Sequence, residues 1–198
     1  MQEIVVVLDR SGSMEAVKDD AIGGFNAFLK QQQELPDADD RRLTLVQFDH
    51  EYDAVHENMP VKQVPPLTPL TYVPRGSTAL FDAVARTIDE IGQRLNNLPH
   101  EKRPAKVTVG ILTDGMENAS RKFHKDQVKA KIDLQTSQYA WDFVFMAQNY
   151  EQFADGNSSG AKVYACGTMG IASNNSSNVV NYRAAFTSYL SSKVGTAV

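Results

Sequence analysis

Ile4-Val5-Val6-Val7-Leu8 is an unbroken apolar run. A run of this length without polar alternation predicts a strand covered on both faces, as in a parallel sheet. Val17, Ala21, Phe25, Phe28 and Leu29 then recur at helical spacing and predict a helix from about Met14 to about Gln33. Gly23-Gly24 inside it costs about 1 kcal/mol per glycine relative to alanine, tolerable where the helix lies close against a sheet. Leu43 to Phe48 alternates and reads as a second strand, with a short edge strand at Asp53 to Glu57 paired to it through a turn at Asp49 to Tyr52. Prolines at 60, 65, 66, 69 and 74 forbid helix or central strand and route a surface loop into Arg75-Gly76-Ser77-Thr78.

Leu80, Phe81, Val84, Ile88, Ile91 and Leu95 predict an amphipathic helix to about Leu98, and Val107 to Thr113 is another apolar strand. A helix from Lys125 to Ser137, a strand from Asp142 to Ala147, a short helix at Tyr150 to Ala154 and a strand from Lys162 to Cys166 follow. After a loop at Gly170 to Asn178, Val179, Tyr182, Phe186 and Leu190 mark a final helix to Lys193. This alternation predicts an α/β, doubly wound, mostly parallel sheet of about six strands, one of them an antiparallel edge, with helices on both faces. In such sheets ligands bind beyond the carboxyl ends of the strands. Asp9 and Asp114 both follow apolar strands, so the topology delivers their loops and the Thr78 loop to one edge.

Composition narrows the class. A chain of 198 residues, 42% hydrophobic and 22% charged, suits one sizeable core, and a single domain over 1–198 is expected. A net charge of −4 argues against nucleic acid as a partner. The lone Cys166 rules out an internal disulfide and a thiolate zinc cluster, and fits a reducing compartment. Met1 to Leu8 lacks a basic n-region, and no segment approaches membrane-spanning length. The expected setting is therefore cytoplasmic, with no membrane partner.

Asp9-Arg10-Ser11-Gly12-Ser13 closes the first strand with a carboxylate and two hydroxyls at alternating positions. Hard oxygen donors of this kind suit Mg²⁺, Mn²⁺ or Ca²⁺ better than zinc or copper. Each element also has a plainer role: Ser13 and Thr78 could cap helices, and Asp114-Gly115 could be an ordinary turn. Taken together, Asp9-X-Ser11-X-Ser13, Gly76-Ser77-Thr78 opening a helix, and Leu112-Thr113-Asp114-Gly115 closing a strand resemble the von Willebrand factor type A domain, a Rossmann-like fold, in order and spacing across nearly the whole chain.

The resemblance implies a metal-ion-dependent adhesion site (MIDAS) with Asp9, Ser11, Ser13, Thr78 and Asp114 as its metal set, Mg²⁺ as the ion, and Mn²⁺ or Ca²⁺ as substitutes. It implies direct metal contacts from Ser11 and Ser13, a water-mediated one from Asp9, and exchange between the two modes at Thr78 and Asp114. A Glu or Asp carboxylate from a protein partner would fill the open position. The function so implied is that of a non-enzymatic, metal-dependent protein-binding module, acting as a cytoplasmic adaptor or an assembly or regulatory factor. The alternative is a Mg²⁺-dependent hydrolase or phosphotransferase of α/β type. Against it, Ser11 stands where a haloacid-dehalogenase-like enzyme carries its second Asp, and neither a phosphate-binding loop nor a Gly-X-Ser-X-Gly elbow is present.

Lesser candidates flank this set. Glu117 could line the rim or be a solvated loop carboxylate; Asp82 could orient a ligand loop or lie on the helix surface. Tyr72 and Met116 could meet a partner at the rim, or Tyr72 could pack internally. His50, His56, His100 and His124 lack ligand spacing, and Lys122, Lys125, Lys129 and Lys131 suggest a solvated basic face.

Overall fold

The computed structural model describes residues 1–114, 116–147 and 161–165. The strands are β1 (Gln2–Asp9), β2 (Arg41–Phe48), β3 (Tyr52–Pro60), β4 (Lys106–Thr113), β5 (Asp142–Ala147) and β6 (Ala161–Ala165). They form one six-stranded sheet in the order β3-β2-β1-β4-β5-β6, parallel except for the β2–β3 edge pair. The expected helix at Tyr150 to Ala154, the loop at Gly170 to Asn178 and the final helix from Val179 lie outside the described residues. Among the described residues no helix is long and apolar enough to cross a membrane.

Burial on both sides explains the unbroken run of β1. Ile4, Val6 and Leu8 pack with Ala21, Phe25, Phe28 and Leu29 of helix α1 (Lys18–Gln33). Val5 and Val7 face the other way, against Leu80, Val84, Ile88 and Ile91 of α2 (Leu80–Asn96) and Val128 and Ile132 of α3 (Lys125–Tyr139). β2 also buries its polar residues: Thr44 and Gln47, three apart and so on opposite faces, are both covered. Their polar atoms are satisfied internally: the Thr44 hydroxyl donates to Glu3 Oε1 (3.2 Å) and accepts from Asn58 N (3.0 Å), and Gln47 Nε2 donates to the Thr71 carbonyl (3.1 Å).

The first helix starts later than its periodicity suggests. Gly12–Val17 is a 3₁₀ segment, and α1 proper begins at Lys18. The tighter turns keep the serine loop next to β1 while the buried Met14 anchors it, its N–H donating to the Ser11 carbonyl (3.0 Å). Gly24 is buried in α1, as close packing requires, but Gly23 is not: a Cβ built there meets nothing within 4 Å. Gly23→Ala should therefore stabilise the chain by about 1 kcal/mol and raise the melting temperature by about 2–4 °C in a thermal melt.

Register places the strand ends level. Asp9 pairs with Phe48, and Leu8 with Leu112, so the residues just beyond β1, β2 and β4 share one edge.

Candidate functional site

Asp9 ends the central strand with its side chain fully buried. One carboxylate oxygen, Oδ1, accepts from the Ser11 N–H (2.6 Å), and the other, Oδ2, accepts from the Thr113 hydroxyl at the end of β4. Ser11 Oγ lies 3.1 Å from Ser13 Oγ, which donates to Asp114 Oδ1 (2.7 Å). Ser11 is buried and Ser13 exposed, so the group opens to solvent on the Ser13 side. Tyr72 holds the strand end from behind, its hydroxyl donating to the Asp9 carbonyl (2.6 Å).

Thr78 arrives by backbone. Gly12 N donates to the Gly76 carbonyl (3.0 Å) and Arg75 N to the Arg10 carbonyl (2.7 Å), which joins the serine loop to the 75–78 loop. Thr78 N donates to Asn118 Oδ1 (2.9 Å), and the Thr78 carbonyl accepts from Asn118 N (3.0 Å) and Ala119 N (3.1 Å). Hydrogen bonds among the described residues thus link Asp9, Ser11, Ser13 and Asp114 directly; Thr78, itself buried, joins through the loops. Gly76 turns at φ +67°, with the His50 ring where a side chain would go: a Cβ would sit 2.3 Å from Nδ1. Gly76→Ala should destabilise the chain by about 1–2 kcal/mol from the backbone alone, read by denaturant unfolding.

Burial pushes the Asp9 carboxyl up to about 6, against the opposing hydrogen bonds from Thr113 and Ser11 and with a further push from the nearby Asp114. Asp114 is raised as well, burial outweighing its bond from Ser13. Asp49, which follows β2, goes the other way. Burial favours its neutral form, but the Glu51 N–H and the Arg75 and Arg10 guanidiniums prevail and hold it below the ordinary range. Its Oδ2 accepts from Arg10 Nε (3.1 Å) and Arg75 Nε (2.9 Å), one arginine from each loop. The Asp49 carbonyl also accepts from Ala79 N (2.9 Å).

Some candidate residues take a role the sequence suggests, and others do not. Thr78 does not cap α2: the N-cap is Ala79, and the first N–H groups are met by Glu117 Oε2, accepting from Phe81 N (3.0 Å), and Ser120 Oγ, accepting from Asp82 N (3.0 Å). Glu117 is therefore engaged with the start of α2 and only half-buried. Asp82 accepts from the N–H groups of Arg121, Lys122 and Phe123, pinning the loop after β4 to α2. Tyr72 is internal, whereas Met116 is 62% exposed. Lys131 leaves the solvated basic face to pair with Asp89 of α2. His124 precedes α3, its N–H bonded to Gln127 Oε1 (2.9 Å). Asp49 and Asn118 escape the sequence motif. Asp49 did leave a signal, since it is a third aspartate at the end of an apolar strand.

The arrangement defines a class before any comparison: an open α/β sheet carrying an oxygen-rich group at its carboxyl edge. No protein-family model matches the chain, and no curated protein sequence matches it. Solved structures do. The minor pilin PilB from Streptococcus sanguinis is 10% identical with a TM-score of 0.57, the match covering 98% of this chain and 61% of that one. The manganese-loaded TRAP protein of Plasmodium vivax is 16% identical at a TM-score of 0.54, over 83% of this chain and 68% of that one. Proximal thread matrix protein 1 from the mussel byssus, with a zinc-occupied MIDAS motif, is 12% identical at 0.54, over 83% and 44%. The chain spans less than two thirds of the length of the pilin and of the mussel protein. Likeness at such identities concerns the fold, which is the Rossmann-like fold of von Willebrand factor A domains.

Proposed function

We propose that the chain is a metal-dependent protein-binding module in which Asp9, Ser11, Ser13, Thr78 and Asp114 hold a divalent cation, Mg²⁺ first and Mn²⁺ or Ca²⁺ as substitutes. The observation that carries this reading is the spacing of oxygens from two separate loops. Neighbouring ligands around an octahedral Mg²⁺ lie about 3 Å apart. The Ser11–Ser13 and Ser13–Asp114 oxygens stand 3.1 and 2.7 Å apart. The donor set fits a hard ion, with two carboxylates and three hydroxyls. Among the described residues no group of three His, Cys, Asp or Glu competes with it. Metals bound in two structures of the same fold, manganese in TRAP and zinc in the MIDAS of the mussel protein, support the assignment.

The cation supplies a Lewis-acid position for a Glu or Asp carboxylate from a protein partner. The chain's own residues prepare it. Asp9 is held by Ser11 and Thr113 in one orientation, so little reordering accompanies loading. Asp9 and Asp114 together offer at most −2, which no more than neutralises a dication, and the three hydroxyl donors add no charge, so no excess negative charge at the ion would repel a further carboxylate. Asp9, buried with both oxygens engaged, is poorly placed as a nucleophile, which favours recognition over phosphoryl transfer. As a binding module in the cytoplasm, the chain would serve as an adaptor or as an assembly or regulatory factor.

Calorimetric titration with Mg²⁺, Mn²⁺ and Ca²⁺, followed by a capped Gly-Gly-Glu-Gly-Gly peptide, tests this directly. The peptide should bind with the cation and not in EDTA, and Ser13→Ala should weaken cation binding by about 10-fold or more. Equal peptide binding in EDTA removes the proposal. Phosphatase turnover that disappears in Asp9→Asn would make the chain an enzyme instead.

A further inference from the structure

Six large apolar side chains are exposed among the described residues, and three of them stand in the loops at the carboxyl edge of the sheet. Leu70 is 90% exposed, Val73 50% and Met116 62%. Leu70 and Val73 share a hollow of about 410 Å³ with Arg75 and with Arg10, which precedes Ser11. Met116 lies on the other side, two residues after Asp114. The proposed metal residues thus fall between two exposed apolar groups.

The loop that carries Leu70 and Val73 is fixed from below. Thr71 N and Tyr72 N donate to the Thr68 carbonyl (3.1 and 3.0 Å), Gln47 Nε2 of β2 donates to the Thr71 carbonyl, and the Tyr72 hydroxyl holds the end of β1. Tyr72 is buried while its apolar neighbours meet water, an exposure that a bound partner would relieve. Charge decides little in the hollow. Its lining carries two arginines and two carboxylates, with Arg10 paired to Asp53 (3.3 Å) and Arg75 to Glu51. What it offers a partner is apolar surface.

The topology also sets a spacing. β2 and β4 flank β1, so their ends stand two strand spacings apart, about 10 Å. An extended segment turns residues i−2, i and i+2 to one side, with the outer two about 13 Å apart. With the carboxylate of residue i at the ion, one outer side chain reaches Leu70 and Val73 above β2 and the other reaches Met116 beyond β4.

We propose that the partner presents its metal-bound Glu or Asp in an extended segment with an apolar side chain two residues to each side. The inference rests on the metal-dependent function proposed above and names the sequence pattern which that function selects. Apolar residues at i−1 and i+1 point away from this rim and gain nothing from it.

The probes are three capped peptides, Leu-Gly-Glu-Gly-Leu, Gly-Leu-Glu-Leu-Gly and Gly-Gly-Glu-Gly-Gly, each titrated calorimetrically into the full chain with Mg²⁺ and again with EDTA. The first should bind about 10-fold more tightly than either of the others, and none should bind in EDTA. Leu70→Ser combined with Val73→Ser should cost the first peptide about 3-fold or more, and so should Met116→Ser alone. Both variants should leave Mg²⁺ affinity and the Gly-Gly-Glu-Gly-Gly peptide within about 2-fold, since the changes are on the surface and outside the metal set. Equal affinity of the two leucine peptides, or unaltered binding in both variants, overturns the pattern; if binding still needs Mg²⁺, the metal-dependent function stands without it. Binding of all three peptides that survives EDTA overturns both.

Discussion

Asp9→Asn is expected to raise the stability of the metal-free chain while abolishing its response to divalent cations. The carboxylate is fully buried, and its pKa is pushed from the ordinary 3.8 to about 6. A carboxyl raised in the folded state stabilises while protonated, and that contribution is lost as pH climbs from about 4 through about 6. At neutral pH the ionised group therefore costs about 3 kcal/mol, since each tenfold change in proton affinity is worth about 1.4 kcal/mol. Asparagine keeps an acceptor for the Ser11 N–H and carries no charge. Urea melts at pH 7 without metal should move to higher midpoint in the variant, by up to that amount, and the gain should vanish below pH 4. Added Mg²⁺ should stabilise the parent and leave the variant unmoved. A metal-free variant less stable than the parent at pH 7 would mean that Asp9 serves the fold rather than a ligand.

Asp49→Ala is expected to be the most damaging single change outside the hydrophobic core. It removes the shared partner of Arg10, 12% exposed, and Arg75, along with the bond to the Glu51 N–H (2.6 Å). Breaking a buried pair from one side leaves the remaining charges uncompensated, at a cost of about 3–5 kcal/mol where burial is complete. Arg75 is half exposed, so the expected loss is nearer the lower figure, about 3 kcal/mol. Its pH signature is opposite to that of Asp9. The Asp49 carboxyl is held below 3.8, so its contribution is present above that value and is lost as pH falls through the depressed pKa. Cation affinity should fall too, although Asp49 is outside the proposed metal set, because both loops hang from it. Chemical denaturation at pH 7 and pH 3 together with Mn²⁺ titration reads all three effects. Unchanged cation binding in a folded variant would show that the loops hold their places without it.

The fold was legible because most of its information is periodic. Ile4 to Leu8 is apolar without interruption and Val107 to Thr113 nearly so, since both are inner strands covered by helices on two sides. Leu80 to Leu95 carries its apolar residues at helical spacing because one stripe faces the sheet. Boundaries were harder. Glycine and serine at the start of the first helix do not reveal that a 3₁₀ segment intervenes before Lys18. β2 forms where its pattern predicts, but alternation reports which positions are polar and not which are exposed; Thr44 and Gln47 found internal partners.

The site divides in the same way. The sequence by itself determined the motif residues Asp9, Ser11, Ser13, Thr78 and Asp114 and their positions at element ends, because side-chain chemistry and strand termination are both local. Only the tertiary structure decided what surrounds them: Thr113 on the Asp9 carboxylate, Tyr72 behind it, Asn118 on Thr78, Asp49 between two arginines. It also chose, for Asp82, the role of holding the loop after β4, and set Glu117 on a first N–H of α2. Those contacts join residues far apart in the chain, and their energies depend on burial and distance, which exist only once the sheet has brought three strand ends to one edge.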